Sequence, residues 1–438
     1  MRTNKILFFI VILLLILPLI QSAVPVFSFK DLKGAFNKKV NNIAHLSWES
    51  WMNGEFQKSF DKFTEHNIGF RNPIIRIHNQ IDFSCFRKIN TFNTIIGKQN
   101  YLYQGIYIDA LKGRDYIGSS FIKNSVARIK AVQDTLATLS KRLVFVIAPG
   151  KASIFPEFIP DSCNISDCSI TNYDNYIQEF KSNEVDFIDF RKYFQQIKPF
   201  SKYPLFPKTG IHWSGYGITL VADSLFKNIE AKSDFNIINY KIVEGVSTSK
   251  DYRFTDNDAG KTLNLLFNIP NDKVYYPKII FIPDTLKHKP NVLLVGDSFT
   301  QGFYSFYPLF DSVFSKKSTF WYYFKNQAWP KYFKDIARID FNEKINETDI
   351  FIIVSTEQNL KKFGFGIIEE LFHHYFPEKG INNSIAKIET NIKNDSLWLK
   401  RLEKKANARK ISLIKQIYLE AKYNVINKLI NKSKKQDK

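Results

Sequence analysis

The distribution of apolar residues predicts strands that alternate with helices behind an apolar N-terminus. Continuous apolar runs, typical of strands buried on both faces of a parallel sheet, occupy 142–148, 291–295 and 349–355. A shorter strand is predicted at 185–189, an aromatic strand at 319–324 and a hairpin at 93–103. Helices are predicted at 121–140, 172–184 and 215–229, in a preface over 31–90, and as one long helix or a helix pair at 397–430. This alternation predicts an α/β fold around a mainly parallel sheet.

The first 29 residues have the pattern of an export segment. Arg2 and Lys5 precede an apolar run over Ile6–Ile20, and apolar character resumes over Ala23–Phe29. The whole stretch is long enough to span a bilayer, which takes about 20 residues. It also fits a cleaved secretory signal, with Ser22–Ala23 near the cut site. The poor small-residue pattern favours an uncleaved anchor, and both alternatives place the rest of the chain outside the cytoplasm.

Composition and charge narrow the expected partners. The chain has 438 residues, of which 44% are hydrophobic and 16% aromatic, so it has enough apolar side chains for a large core and is not mainly disordered. The formal net charge is +20, with a dense basic stretch from Lys400 to Lys410. Such a surface suits nucleic acid, anionic lipid or an acidic polymer, or is simply a solvated helix face. Because the chain is exported, we do not expect nucleic acid.

Cysteine and acidic spacing give no reason to expect a metal or another cofactor. Cys163 and Cys168 flank a polar loop, where a disulfide and two unpaired thiols are both open alternatives. The third cysteine, Cys85, makes no CxxC pair or Cys/His cluster. Asp256 and Asp258 lack the remaining positions of a calcium loop.

Three polar residues follow predicted parallel strands directly, at the sheet edge where chemistry gathers. Ser298 follows 291–295 in a Gly-Asp-Ser-Phe segment, Lys151 follows 142–148, and Glu357 follows 349–355. A serine that opens a helix presents its hydroxyl beside free backbone N–H groups, which can stabilise an oxyanion. The same tripeptide also forms ordinary helix caps, so Asp297 is expected to cap or brace the turn rather than to act as an acid.

A serine nucleophile needs a base, which is usually histidine. For six of the seven histidines a structural role is the better interpretation: His45, His66, His78, His288, His373 and His374. His212 lies instead in a turn-rich segment before a predicted helix, with Trp213 beside it. We therefore expect His212 to project into a cleft as the partner of Ser298.

These residues carry a resemblance to a known family. A GDSF segment with His212–Trp213–Ser214 and Gly217 upstream resembles the SGNH-hydrolase-like domain of the alginate O-acetyltransferase, or DHHW-type, family. The order matches too, because in that family the histidine block precedes the serine block. Two further pieces agree, over 96–103 and 149–157. The resemblance covers residues 90–375.

The resemblance implies an SGNH-like, flavodoxin-like sheet flanked by helices, with Ser298 and His212 as catalytic partners. The family motif has an aspartate where this chain has Gly210. A dyad, a backbone carbonyl, or a carboxylate from Asp258 or Glu357 must then orient the imidazole. Tyr304 falls where the family places a site tyrosine, with packing an equal alternative.

The resemblance also implies O-acetyl transfer to an extracytoplasmic polysaccharide. It implies that a multipass membrane O-acyltransferase supplies the acetyl group at the periplasmic face of the membrane. A carbohydrate acetyl esterase and an inactive glycan-binding scaffold stay open as alternatives. We predict four parts: an anchor or signal at 1–29, a helical preface at 30–90, the SGNH-like domain at 91–380 and a basic helical tail at 381–438.

Overall fold

The computed structural model describes residues 2–34, 42–166, 169–235, 237, 239–282, 289–333, 335–376 and 382–436. They form two compact units. One comprises Met1–Ile96 and Asn257–Pro270, and the other comprises Gly97–Asp256 and Asn271–Lys438. The division into four parts by sequence stays a prediction, and the predicted disulfide partner Cys168 lies outside the described residues.

The elements are numbered in chain order. The helices are α1 (Arg2–Ala23), α2 (Trp48–Met52), α3 (Glu55–Asn67), α4 (Arg71–Phe86), α5 (Gly105–Leu111), α6 (Ser119–Thr138), α7 (Lys151–Ile154), α8 (Asn172–Ser182), α9 (Phe190–Ile197), α10 (Gly215–Ala231), α11 (Asp258–Thr262), α12 (Gly302–Ser305), α13 (Leu309–Val313), α14 (Phe341–Glu347), α15 (Ile367–Tyr375), α16 (Asn382–Asn394), α17 (Ser396–Arg409) and α18 (Leu413–Gln436). The strands are β1 (Thr94–Ile96), β2 (Leu102–Gln104), β3 (Arg142–Ala148), β4 (Phe187–Asp189), β5 (Tyr240–Thr248), β6 (Val274–Phe281), β7 (Val292–Gly296), β8 (Thr319–Tyr322), β9 (Asn326–Trp329) and β10 (Ile350–Thr356). Short 3₁₀ helices include Ser298–Gln301 and Glu357–Gly366.

The smaller unit is mainly helical, as predicted for the preface. It contains α1 to α4, β1 and α11. Within α1, Lys5–Ala23 is long and apolar enough to cross a membrane. A signal sequence has the same length and composition, so α1 is compatible with both predicted alternatives.

A six-stranded sheet forms the larger unit, in the order β4-β3-β10-β7-β8-β9. All neighbouring pairs are parallel except β8 and β9. The predicted apolar runs at 142–148, 291–295 and 349–355 form strands β3, β7 and β10. The bounds of β3 agree with the predicted 142–148. The side chains on both faces of the central strand β10 are buried, which explains why its sequence is an unbroken apolar run.

Helices flank this sheet, and one face has a continuous core. Side chains of α6, α8 and α15 pack there against Phe145, Leu293, Trp321 and Phe351. Strand residues that point to the other face of the sheet, such as Val144 and Leu294, are also buried, so the second face is covered as well. The chain therefore has the predicted α/β fold, with a mostly parallel sheet between helices.

The antiparallel pair of β5 and β6 was not predicted from the pattern. Most side chains of β5 are exposed, so the segment lacks the apolar run that identifies a buried strand. Of the two alternatives for residues 397–430, one long helix or a helix pair, the pair is correct and consists of α17 and α18. These helices share an apolar core with α16, built on Ile392, Leu402 and Ala421, so the basic tail is folded and is more than a solvated charged face.

Buried charges connect α15 to neighbouring helices. Glu369 is 2% exposed and lies 3.3 Å from the Arg128 guanidinium, while the adjacent Glu370 pairs with Lys422 of α18 at 2.7 Å. Burial raises the pKa of Glu369 from 4.5 to about 7, although Lys422 and Arg128 oppose the shift. The folded chain thus keeps a proton on Glu369 over a pH range in which the unfolded chain has released it.

We expect Glu369→Gln to become relatively more stable than the wild type as the pH rises from 5 to 8. Between the unfolded and folded pKa values the native state binds more protons, so wild-type stability falls with pH there. The free energy of unfolding should shift in favour of the variant by about 2–3 kcal/mol across this window. Urea unfolding at each pH measures it, with the exposed Glu343→Gln as control. A pH-independent difference would contradict the assignment.

Candidate active site

The three strands that precede the predicted site residues end at one edge of the sheet. Strand β10 lies between β3 and β7 and runs parallel to both. Ser298, Glu357 and Lys151 therefore follow parallel strands at their carboxyl ends, as predicted. This edge is where open α/β sheets place their chemistry.

The structure brings Ser298 and His212 together. Ser298 opens the 3₁₀ helix after β7, and its Oγ lies 2.8 Å from Nε2 of His212. Both residues are partly exposed, so neither side chain is sealed in the core. At this distance the imidazole can accept the hydroxyl proton directly, as general-base activation of a serine requires.

Asp297 braces the serine turn. It is fully buried, and its Oδ2 accepts hydrogen bonds from Thr356 N at 2.9 Å, Thr356 Oγ1 at 2.6 Å and Asn359 Nδ2 at 2.8 Å. Its Oδ1 accepts from Phe299 N at 3.1 Å, which caps the 3₁₀ helix. The carboxylate thus ties the end of β7 to the end of β10, in the bracing role predicted from the sequence.

Trp213 connects the histidine loop to the serine loop. Its Nε1 donates to the Phe299 carbonyl at 3.1 Å, and its ring packs edge-on against Phe299. The His212 ring also contacts Phe299, with centroids 4.8 Å apart. Ser214 then caps α10 by accepting from Gly217 N. The histidine is therefore fixed from both sides, by Trp213 on Phe299 and by the start of α10.

Lys151 holds the backbone that leads to His212. The side chain is 1% exposed, and its Nζ contacts four backbone carbonyls: Leu102 at 2.9 Å, Pro207 at 2.7 Å, Lys208 at 2.8 Å and Gly210 at 2.9 Å. A buried ammonium group is stable only when its protons are satisfied in this way. Lys151 therefore positions the loop.

The two other segments that carried the family resemblance pack on each other. The ring of Tyr101 stacks on Phe158 at 3.9 Å, and the Tyr103 hydroxyl donates to the Phe155 carbonyl at 2.6 Å. An added Cβ at Gly97 would lie 2.3 Å from the Phe158 carbonyl oxygen, so only glycine allows this approach. The motifs around residues 97 and 155 thus form one structural unit beside Lys151.

A comparison with models of protein families finds a match for part of the chain. Residues 95–251 match the model of the SGNH hydrolase-like domain of acetyltransferase AlgX. This segment is similar to that domain. It contains Lys151 and His212 of the site, whereas Ser298 lies after the matched residues.

Three solved structures are similar to this chain at low sequence identity. The O-acetyltransferase domain of Pseudomonas putida AlgJ is 16% identical, with 64% of this chain and 99% of that chain covered and a TM-score of 0.41. Pseudomonas aeruginosa AlgX is 14% identical, with 64% and 69% covered and a TM-score of 0.41. Bacillus cereus PatB1 with a sulfonyl adduct is 14% identical, with 56% and 92% covered and a TM-score of 0.37. No curated protein matches the sequence.

Gly210 departs from the family aspartate for a steric reason. An added Cβ would lie 2.8 Å from the Thr255 carbonyl oxygen and 3.2 Å from the Asp256 carbonyl carbon. The backbone of 255–256 therefore occupies the space of a side chain at this position. Asp256 is buried there, and its Oδ2 accepts from Tyr276 Oη at 2.7 Å and Gly215 N at 3.3 Å. Sequence reasoning did not predict that Asp256 connects Tyr276 to the start of α10, because nothing in the pattern pairs these residues.

Glu357, predicted as one possible orienting carboxylate, forms a different network. It is 5% exposed, and its Oε1 accepts from Gly150 N at 2.7 Å and from the Ser153 hydroxyl. Its Oε2 pairs with Arg191 at 2.8 Å. These partners engage both carboxylate oxygens, so Glu357 connects the ends of β3 and β10. Arg191 was not predicted, because its partner is 166 residues away in the chain.

The two remaining candidates differ in what the structure shows. Tyr304 packs against Phe310 and Phe320, with ring centroids 5.8 and 6.2 Å away, which supports the packing alternative. The pKa of the Tyr304 phenol is raised to about 12, mainly by burial and to a smaller extent by the nearby Tyr322. Asp258 begins α11, where its Oδ1 accepts from Ala259 N at 2.7 Å. Asp258 belongs to the smaller compact unit, and its role as the orienting acid stays a prediction.

We expect Lys151→Met to lower the free energy of unfolding by at least about 3 kcal/mol, because it leaves buried carbonyls unsatisfied. The exposed Lys192→Met should change stability by less than about 0.5 kcal/mol. Urea unfolding of both variants measures the difference. A Lys151→Met protein with wild-type stability and no activity would contradict the positioning role and point to a chemical one.

Proposed function

We propose that this protein is an O-acetyltransferase that carries an acetyl group on Ser298 and passes it to hydroxyls of a polysaccharide outside the cytoplasm. The observation that carries the proposal is the 2.8 Å contact between Ser298 Oγ and His212 Nε2. The family match adds the acetyl chemistry, since its SGNH hydrolase-like domain is that of an acetyltransferase. The dyad alone is equally suited to other acyl transfers.

The first half of the reaction forms an acetyl-serine. His212 Nε2 takes the proton of Ser298 as Oγ bonds to the acetyl carbonyl carbon. The bond from that carbon to the donor then breaks, and the proton on His212 goes to the leaving group. The backbone N–H of Ser298 is the proposed oxyanion donor, because the next one, Phe299 N–H, already bonds to Asp297.

The second half transfers the acetyl group to the glycan. A sugar hydroxyl gives its proton to His212 while its oxygen bonds to the acetyl carbon. The bond between that carbon and Ser298 Oγ breaks, and the proton returns to the serine. No metal or cofactor takes part in the proposed reaction, since the transfer uses only a nucleophile, a base and an oxyanion donor.

A group that orients His212 completes the proposed site. Gly210 has no room for the family aspartate. We keep Asp258 as the proposed orienting carboxylate, with a dyad or a backbone carbonyl as the alternatives. Loss of activity in Asp258→Asn, against the exposed control Asp251→Asn, would support the carboxylate.

The proposed location and partners follow from the N-terminal helix and from the family. An exported chain held by α1 would work at the periplasmic face of the membrane or elsewhere in the cell envelope. A multipass membrane O-acyltransferase would supply acetyl groups, and an exopolysaccharide or envelope glycan would accept them. Nucleic acid is not an expected partner.

Glycan acetylation by the purified protein tests the proposal. With 4-nitrophenyl acetate as donor and an oligosaccharide as acceptor, we expect acetylated product by mass spectrometry. Ser298→Ala and His212→Ala should each lower the rate at least about 100-fold, because each removes a partner of the proton transfer. Ser305→Ala, an exposed serine seven residues further along, should retain wild-type activity.

Two outcomes would favour the alternatives. Ser298-dependent ester hydrolysis that glycan does not diminish, with no acetylated product, would indicate an esterase. Normal acetylation in cells that carry Ser298→Ala, when deletion of the gene abolishes it, would indicate a scaffold. Either outcome overturns the transferase proposal.

A further inference from the structure

Helix α4 exposes three isoleucines and buries two polar side chains. Ile74, Ile77 and Ile81 are 54%, 47% and 50% exposed, and their spacing places them on one face. On the other side, Asn79 and Asp82 are only 5% and 9% exposed. A helix on the surface of a water-soluble protein has the opposite arrangement.

The buried polar side is held by specific hydrogen bonds. Asn79 Nδ2 donates to the Leu263 carbonyl at 2.9 Å, and Asn90 Nδ2 donates to Asp82 Oδ2 at 2.8 Å. Arg76 donates to the carbonyls of Asp31 and Leu265. Rotating α4 to bury its isoleucines would break all of these bonds, so the apolar face is fixed outward.

Helices α2 and α3 of the same unit also expose apolar side chains. Trp48, Trp51 and Met52 of α2 are 80%, 50% and 66% exposed, and Phe86 at the end of α4 is 70% exposed. The ring of Trp51 continues into a row with Phe56 and Phe60 of α3. We call the exposed residues Trp48, Trp51, Met52, Phe60, Ile74, Ile77, Ile81 and Phe86 the α2–α4 apolar surface. Exposed apolar residues in such number mark an interaction site.

The end of the apolar helix α1 is packed onto the residues just before α4. Gly69 N donates to Ser22 Oγ at 2.7 Å, and an added Cβ at Gly69 would lie 2.4 Å from the Pro18 carbonyl oxygen. Phe27 and Phe29, which follow α1, contact the ring of Phe70 at 6.0 and 5.3 Å. If α1 crosses the membrane, the residues just before α4 are in contact with the end of the membrane-spanning helix.

We propose that the α2–α4 apolar surface lies in the interfacial layer of the membrane that α1 enters. Helices with one apolar face and aromatic side chains bind at this depth, with Trp at the level of the headgroups. The occupant of the surface is the lipid bilayer, because continuity with α1 already brings these helices to it. This inference concerns how the chain is held, and it does not depend on the chemistry of Ser298.

Spin-label accessibility in lipid nanodiscs tests this placement on the full chain. Cys85, Cys163 and Cys168 are replaced by Ser, and a nitroxide is attached at Ile77→Cys or, as an exposed control in the larger unit, at Lys227→Cys. In phosphatidylcholine nanodiscs we expect collisions with a water-soluble nickel chelate to be several-fold rarer at 77 than at 227. Collisions with oxygen, which concentrates in lipid, should be more frequent at 77.

Ile74→Cys and Ile81→Cys should give the same result as Ile77→Cys, and unchanged thermal unfolding shows that each labelled variant is folded. Equal nickel accessibility at 77 and 227 in nanodiscs would overturn the proposal and leave the surface for a protein partner. Spin–spin broadening between labels at 77 would also overturn it, since a second copy of this chain would then cover the surface.

Discussion

The short contact between Ser298 Oγ and His212 Nε2 depends on two loops that are 86 residues apart in the chain. A shift of about 1 Å in either loop would break the hydrogen bond. Neither residue holds itself in place. Asp297 fixes the serine turn to β10, Trp213 ties the histidine loop to the Phe299 carbonyl, and Lys151 gathers the carbonyls that precede His212.

Asp297, Lys151 and Glu357 share a physical character. Each is a charged group that is almost wholly buried and is satisfied by several hydrogen bonds. Such groups contribute little net stability compared with apolar packing, but removing one partner is strongly destabilising. Their arrangement instead favours a single geometry at the carboxyl edge of the sheet, which an acyl-transfer site needs.

Much of the sheet was predictable because a parallel strand buried on both faces is a local signal. Strands β3, β7 and β10 are continuous apolar runs, so their ends, and with them Ser298 and Lys151, could be placed at one edge. His212 was found through its turn-rich setting and the order of the family motifs. The hairpin of β5 and β6 was missed, because exposed strands lack that signal.

Partnerships between distant side chains were the main failure of the sequence reasoning. Glu357 has the right position for a site residue, yet its contacts with Arg191 and Gly150 depend on how three strand ends meet in space. The inverted polarity of α4 was hidden for the same reason, since a periodic pattern shows which residues share a face but not which face is buried.

Direct detection of the acyl-enzyme tests the central claim. The purified full chain is incubated briefly with 4-nitrophenyl acetate, quenched in acid and mapped by peptide mass spectrometry. We expect one acetyl group on the peptide that contains Ser298, absent from Ser298→Ala and much reduced in His212→Ala. Ester turnover with acetyl found only on other residues, or an undiminished acetyl-serine in His212→Ala, would contradict it.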